Sequence, residues 1–440
     1  MQQKDMLFWI WLAECLGAEN RNFRLLMKLY DNPYELFHAE EFELERIDGL
    51  SQKTLSVLSE RNLTRATEIL ADCERLGITV LPYGSPSYPR ALRELKDPPV
   101  VLYCIGETEL LNDRLCIGMV GTRRMSEYGL RSAYKLSYEL AQAGAIVVSG
   151  MAAGVDGVCA AAALAAKGTT VAVLGCGLDV VYPKHHKRLM DEIRARGVLI
   201  SEYPPHTPPN HYHFPTRNRL ISGLSQGTVV VEAGIGSGSL ITAKNAILQG
   251  RDVFTVPANV GSPGAEGTNG LLRDGATPVL QTSDILDRYR ILFADVLKTR
   301  REIETKTVSN EELSYLAELG VIELVKRREP STAESHTERP AVPKKRTTKK
   351  KKTENADVKD SKPQSDAAIP QSPRQTPDEL LSSLTPIQVA ILKAIPDDRA
   401  VTVDALSGLG YPYGDLIAAL TMLEILGLIQ KLPGALYTKT

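Results

Sequence analysis

Between about residues 81 and 287, short apolar runs alternate with helical stretches, and this alternation constrains the fold more than any other feature of the chain. The runs cover residues 116–120, 145–149, 170–174, 198–201, 228–232 and 252–256. Several are apolar throughout instead of at every second position, which is the pattern of strands buried on both faces of a parallel sheet. The segments between them, 128–143, 155–167, 186–196 and 239–250, are long enough for crossover helices. This order predicts right-handed crossovers and a doubly wound, mostly parallel, Rossmann-like α/β domain.

The flanks read differently. At ~100–200 residues per domain, a chain of 440 residues calls for more than one domain. Residues 1–80 carry apolar positions at three- and four-residue spacing, Leu7, Ile10 and Trp11 and then Leu25, Leu26 and Leu29, and predict a small helical domain. Its Leu44–Ser51 stretch reads either as a helix-hairpin-helix turn able to hold one phosphate or as an ordinary helical turn. The central domain is assigned to 81–298. Residues 299–378 include the cationic block Lys344–Lys352 and few large apolar side chains, so a flexible basic linker is expected there. Residues 379–440 regain helical periodicity and end in a hairpin pattern with Pro433-Gly434 at its turn, which predicts a winged helix. The segment before that hairpin, 413–426, holds Asp415 and Glu424 and no basic residue, so it suits a protein partner better than a DNA groove.

Composition removes several function classes. No stretch approaches the ~18 uncharged apolar residues of a membrane span, and the apolar segment 6–16 is interrupted by Glu14, so no membrane association and a cytoplasmic location are expected. The six cysteines are scattered without a close pair, which predicts reduced thiols and neither disulfides nor a thiolate metal site. A net charge of −1 argues against coating nucleic acid through bulk charge but leaves room for a focused anion site.

In an open parallel sheet the ligand crevice lies beyond the carboxyl ends of the strands, so the residues following each strand carry the chemistry. Three glycine-bearing turns fall there. Val120-Gly121-Thr122-Arg123-Arg124 combines close backbone approach with a permanently charged fork. Ser149-Gly150-Met151-Ala152-Ala153-Gly154 opens a helix, and Glu232-Ala233-Gly234-Ile235-Gly236-Ser237-Gly238-Ser239 feeds another, with amides and hydroxyls suited to phosphate. One such turn is equally a packing device; their convergence on one edge favours anion binding. Phe214-Pro215-Thr216-Arg217-Asn218-Arg219 adds two guanidiniums, for the anion or for surface ion pairs. No P-loop, dinucleotide fingerprint or nucleophile elbow occurs. His206, His211 and His213 share a Pro-rich loop without a matching carboxylate or thiol, so no metal is expected. Asp156, Glu202 and Glu232 can serve as general acids, or can orient arginines and cap helices.

These motifs, taken in order with Tyr88-Pro89-Arg90, Asp97-Pro98-Pro99, Gly175-Cys176-Gly177-Leu178-Asp179, Tyr182-Pro183 and Ser201-Glu202-Tyr203-Pro204, resemble the DNA-processing protein A (DprA/Smf) family. Met151 and Ala160 depart from the family's common Leu and His. The resemblance implies a non-enzymatic protein without cofactor that binds and protects incoming single-stranded DNA, forms a homodimer, and loads the recombinase RecA during transformation and recombination. Carried over by position, the phosphate site comprises Gly121, Arg123, Ser149, Gly150, Lys184, Arg217, Asn218, Gly236, Ser237, Gly238 and Ser239. The competing reading is a nucleotide phosphoribohydrolase acting on nucleoside 5′-monophosphates with Glu232 as its acid.

Overall fold

The structure, a computed structural model, describes residues 3–18, 22–262, 264–323, 385–396 and, within 401–439, all but 412–415, 417–418, 421–422, 425–427 and 433–435. The described residues form two units, one ending at 323 and one beginning at 385.

The first unit is built on a nine-stranded sheet in the order β1-β2-β6-β5-β4-β3-β7-β8-β9. Its strands are β1 (Thr79–Pro82), β2 (Val101–Ile105), β3 (Cys116–Val120), β4 (Ile146–Ser149), β5 (Thr170–Leu174), β6 (Val198–Ser201), β7 (Gly227–Val230), β8 (Asp252–Thr255) and β9 (Thr277–Pro278). Pairing is parallel from β6 through to β9, whereas β1–β2 and β2–β6 are antiparallel. Sequence order runs one way from β3 to β6 and the other way from β7, so the topological switch lies between β3 and β7.

The uninterrupted apolar runs now have their reason. Alternate residues of one strand point to opposite faces. Ile117 and Met119 join one buried cluster while Cys116 and Val120 join the other. Helices α9 (Glu127–Gln142), α10 (Val155–Ala165) and α11 (Lys187–Arg196) contribute to the first cluster, and α12 (His213–Leu224) and α13 (Gly238–Leu248) to the second.

Packing crosses two of the expected boundaries. The helices before residue 80 share a core with the sheet and fall in the same unit. Helices α1 (Gln3–Leu16), α2 (Phe23–Leu29), α3 (Pro33–His38), α4 (Glu41–Glu45), α5 (Gln52–Ser59) and α6 (Thr64–Leu76) place Trp9, Leu12, Phe23 and Leu26 in one cluster with Val101 and Tyr103 of β2. Arg24 Nε reinforces that union by donating to the Leu95 carbonyl at 2.9 Å. In the Leu44–Ser51 turn, Ser51 Oγ accepts from Thr54 N at 3.1 Å, capping α5. The linker likewise does not start at 299. Residues 300–323 include a helix, Asn310–Glu318, and Leu316, Leu319 and Val321 are buried against the sheet domain. Residues 324–384, including the Lys344–Lys352 block, lie outside the described residues.

In the second unit, helix Pro386–Ala394 packs beside a three-stranded antiparallel sheet, β10 (Val401–Thr402), β11 (Ile429–Leu432) and β12 (Leu436–Lys439), in the order β10-β12-β11. Ile391, Leu416, Leu420, Leu423 and Ile429 share its core, as the leucine stripe requires, giving the expected winged helix. Asp415 and the Pro433-Gly434 turn lie outside the described residues.

Candidate functional site

At the switch point, a crevice of about 500 Å³ opens between the ends of β3 and β7. Gly121, Arg123, Arg217, Asn218, Ser237, Gly238 and Ser239 line it, so most of the residues expected at the phosphate site meet there. Gly121 is required by packing, since a Cβ would stand 2.6 Å from Val155 Cγ2 at the start of α10. Backbone bonds tie the turns together: Thr122 N donates to the Glu232 carbonyl at 2.7 Å, and Val155 N donates to the Thr122 carbonyl at 3.2 Å.

Arg123 is exposed, and its guanidinium lies 5.8 Å from the centroid of Phe214. Tyr182 stacks on that same ring at 5.1 Å. Across the crevice, α13 starts at Gly238 without a side-chain cap from Ser237, whose hydroxyl instead meets Ser239 Oγ at 2.8 Å. Its first amides and the helix dipole therefore face the crevice mouth, where they favour an anion. Asn218 Nδ2 donates to the Gly238 carbonyl at 3.3 Å and holds that end in place.

Arg217 is buried, with 4% exposure, and serves as the floor. Its Nη1 donates to the Gly150 carbonyl at 2.9 Å and to the Val173 carbonyl. The Asp156 carboxylate accepts from Gly150 N at 2.9 Å. Burial raises the Asp156 pKa and the Arg217 charge opposes that rise, so the pair fixes the turn after β4 from both sides.

Four expected residues stand elsewhere. Ser149 is fully buried, its Oγ donating to the Asp156 carbonyl at 3.2 Å, and it braces the turn. Gly150 is covered by Arg217, since a Cβ there would fall 2.5 Å from Nη1. Gly236, with φ 75°, shapes the loop beside the crevice without lining it, and Lys184 follows Tyr182 but is outside the lining. Conversely, Tyr182, Phe214 and His211 line the crevice. They sit inside or beside the quoted motifs, and their aromatic character was the available signal.

Other candidates resolve into structural contacts. Arg219 is not an anion ligand: its Nη2 donates to both Glu202 carboxylate oxygens at 2.7 Å and to the Ala18 carbonyl at 2.7 Å. Burial lifts the Glu202 pKa to about 7 against that pairing. His206 faces Asp179 at 2.7 Å and Asp72 at 3.3 Å, and His213 stacks on Tyr203 at 4.0 Å. Among the described residues no group of three or more His, Cys, Asp or Glu is placed to hold a metal ion. Glu232 lies on the far side of the β3 turn, accepting from Ser126 N at 3.0 Å and Ser126 Oγ at 2.9 Å. The cysteines are unpaired, and burial pushes the thiols of Cys73 and Cys116 up to about 12.

Comparison with known proteins agrees with the sequence motifs. Residues 79–290 match the family described as DNA recombination-mediator protein A, and residues 373–435 match the DprA winged helix domain. The chain is 40% identical to the DNA processing protein DprA of Bacillus subtilis strain 168 over 240 residues, covering 54% of this chain and 81% of that protein. It is 29% identical to Protein Smf of Synechocystis sp. strain PCC 6803 over 444 residues, the whole of both chains. Its fold is similar to the X-ray structure of DprA from Streptococcus pneumoniae, with 32% identity and a TM-score of 0.56, covering 65% of this chain and 98% of the other. The chain with the Arg123–Arg217 crevice at its topological switch is therefore a member of the DNA recombination-mediator protein A (DprA/Smf) family.

Proposed function

We propose that this protein binds single-stranded DNA by its phosphates at the switch-point crevice, protects incoming strands in the cytoplasm, and hands them to RecA as a homodimer. The observation that carries the reading is Arg123: an exposed guanidinium with no ion pair among the described residues, set above Phe214 and opposite the uncapped start of α13. A guanidinium and helix amides suit phosphate, and an aromatic floor suits an unstacked base, a combination typical of single-strand binders. Among the described residues no helix is long and apolar enough to cross a membrane.

Self-association has a candidate surface at one end of the sheet. Ile247 and Leu248 at the end of α13 are 60% and 75% exposed, and Leu280, just past the edge strand β9, is 79% exposed. A second copy covering Leu280 would also protect the open edge of β9.

The binding reading includes no catalytic step. A hydrolase needs an uncommitted carboxylate in the crevice, whereas Asp156 there is engaged by Gly150 N and Glu232 holds Ser126 outside it. Gel shifts of the full chain with single and double strands test the proposal. Single strands should be preferred, and Arg123→Glu should abolish the shift at moderate salt; an unchanged shift would refute the site. Base release from nucleoside monophosphates, lost in Glu232→Gln, would establish the hydrolase instead.

A further inference from the structure

Away from the switch point, a small cavity of about 130 Å³ lies between α9, the turn that follows β9 and the chain at 300–305. Lys135, Glu139, Arg290, Arg300 and Thr305 line it, among others. Even with Glu139 and the Asp287 partner of Arg290 counted, the three cations leave one positive charge in excess. Arg300 and Thr305 lie beyond residue 290, where the match to the family's shared domain ends. A water takes ~30 Å³, so the cavity holds one small ion and not a nucleotide.

The donors around this cavity are only partly used. Arg290 Nε donates to Asp287 at 2.8 Å and Nη1 to the Lys298 carbonyl at 3.0 Å, while Nη2 is buried without a hydrogen-bond partner among the described residues. Arg300 Nη2 donates to Gln281 Oε1 at 2.7 Å, which holds the guanidinium at the cavity and leaves its other N–H groups for a ligand. Glu139 then narrows the class of anion. It is 5% exposed, and its Oε2 accepts from the Thr282 hydroxyl. Its Oε1 has no partner among the described residues, Lys135 one turn earlier included. An ionised carboxylate can only accept. Sulfate or a phosphodiester, having no proton to offer, would set bare oxygens against it and leave a buried acceptor unmet. Hydrogen phosphate offers oxygens to the cations and a P–OH donor to the carboxylate.

We infer that this cavity is a binding site for hydrogen phosphate: Lys135, Arg290 and Arg300 hold its oxygens, and Glu139 Oε1 accepts a hydrogen bond from its P–OH group. The bound ion ties the chain at 300–305 to α9, so it stabilises the fold in proportion to its occupancy. The site stands apart from the switch-point crevice, and neither depends on the other. Strand phosphates belong to the crevice, because the carboxylate excludes a diester.

Isothermal titration calorimetry with inorganic phosphate and with sulfate, near neutral pH and at matched ionic strength, tests the site. The full chain carries Arg123→Ala throughout, which removes the exposed guanidinium of the switch-point crevice as a competing anion ligand. Phosphate should bind at one site per chain and raise the melting temperature. Sulfate should bind about tenfold more weakly, the scale of one hydrogen bond to a charged group. Adding Arg300→Ala, at an exposed position, should weaken phosphate about tenfold. Adding Glu139→Gln, whose amide donates as well as accepts, should bring the two affinities together. Absence of phosphate binding would overturn the inference and leave the cavity to water. Equal affinities for phosphate and sulfate before Glu139 is changed would overturn it too, as would discrimination that persists in a folded Glu139→Gln protein. Undiminished phosphate binding in Arg300→Ala would place the ion elsewhere. Bound phosphate displaced by 5′-phosphorylated oligo(dT), and not by the unphosphorylated strand, would assign the cavity to a strand terminus and overturn the free ion.

Discussion

Arg217 and Arg219 are two positions apart on α12, and their fates diverge because residues so spaced do not share a helix face. Arg217 turns under the crevice to Gly150 and Val173, and Arg219 turns away to Glu202 and Ala18. The sequence displays both guanidiniums but not this division, which depends on the rotation of one helix against the sheet. The same limit hides the burial of Ser149 under the turn that it follows, whereas Gly121, Arg123 and Asn218 were legible because their motifs sit directly after strands or at a helix start. Arg217→Ala should cost about 1–3 kcal/mol of stability, since it removes the buried donor to the Gly150 and Val173 carbonyls, and denaturant unfolding will read the loss. His186 yields a pH prediction. It is fully buried with Nδ1 3.1 Å from the Met151 carbonyl, and burial pushes its pKa from 6.5 down to about 4. The folded state therefore binds this proton less readily than the unfolded state. His186 contributes no penalty above about pH 6.5, and stability falls as pH drops from there toward 4, by at most about 1.4 kcal/mol per unit. In His186→Gln the pH dependence of unfolding over that window should flatten by up to one proton; an unchanged slope would show that His186 does not titrate as its burial requires.

At the scale of elements, the parallel strands β3 to β8 were visible as apolar runs, and β3, β5 and β6 begin and end where the runs do. The strands β1, β2 and β9 were not among those runs: β1 and β9 span at most four residues and end in proline, and β2, with β1, is an antiparallel addition outside the strand–helix alternation. The helix Asn310–Glu318 was also missed, because it follows a polar stretch and contributes only a narrow apolar face, yet Leu316 is fully buried. It follows that ending the chain at residue 298 removes more than a tether. Losing the buried side chains of Leu316, Leu319 and Val321, at ~1.5–3 kcal/mol for each of the larger ones, should lower the melting temperature of a chain truncated at 298. Truncation at residue 323 should leave both melting temperature and single-strand affinity close to those of the full protein. Equal melting of the two truncated chains would show that the 299–323 segment adds nothing to the fold.

For the whole molecule, a small negative net charge means that affinity must come from the local arrangement at the switch point and not from a diffuse field. Pairing two such crevices through the exposed end of the sheet would let one long strand engage both, at an effective concentration set by their separation. Leu248→Glu should therefore yield monomers by light scattering that keep short-oligonucleotide affinity and lose long-strand affinity. A monomeric parent binding long and short strands equally per site would contradict this. The central claim, that Arg123 neutralises a phosphate, is tested most directly by titrating the full chain with oligo(dT) across a series of salt concentrations, parent against Arg123→Ala. The account predicts weaker binding with a log–log salt slope shallower by about 0.7, the value for one phosphate contact on a single strand. Coincident affinities and slopes for the two proteins would contradict it.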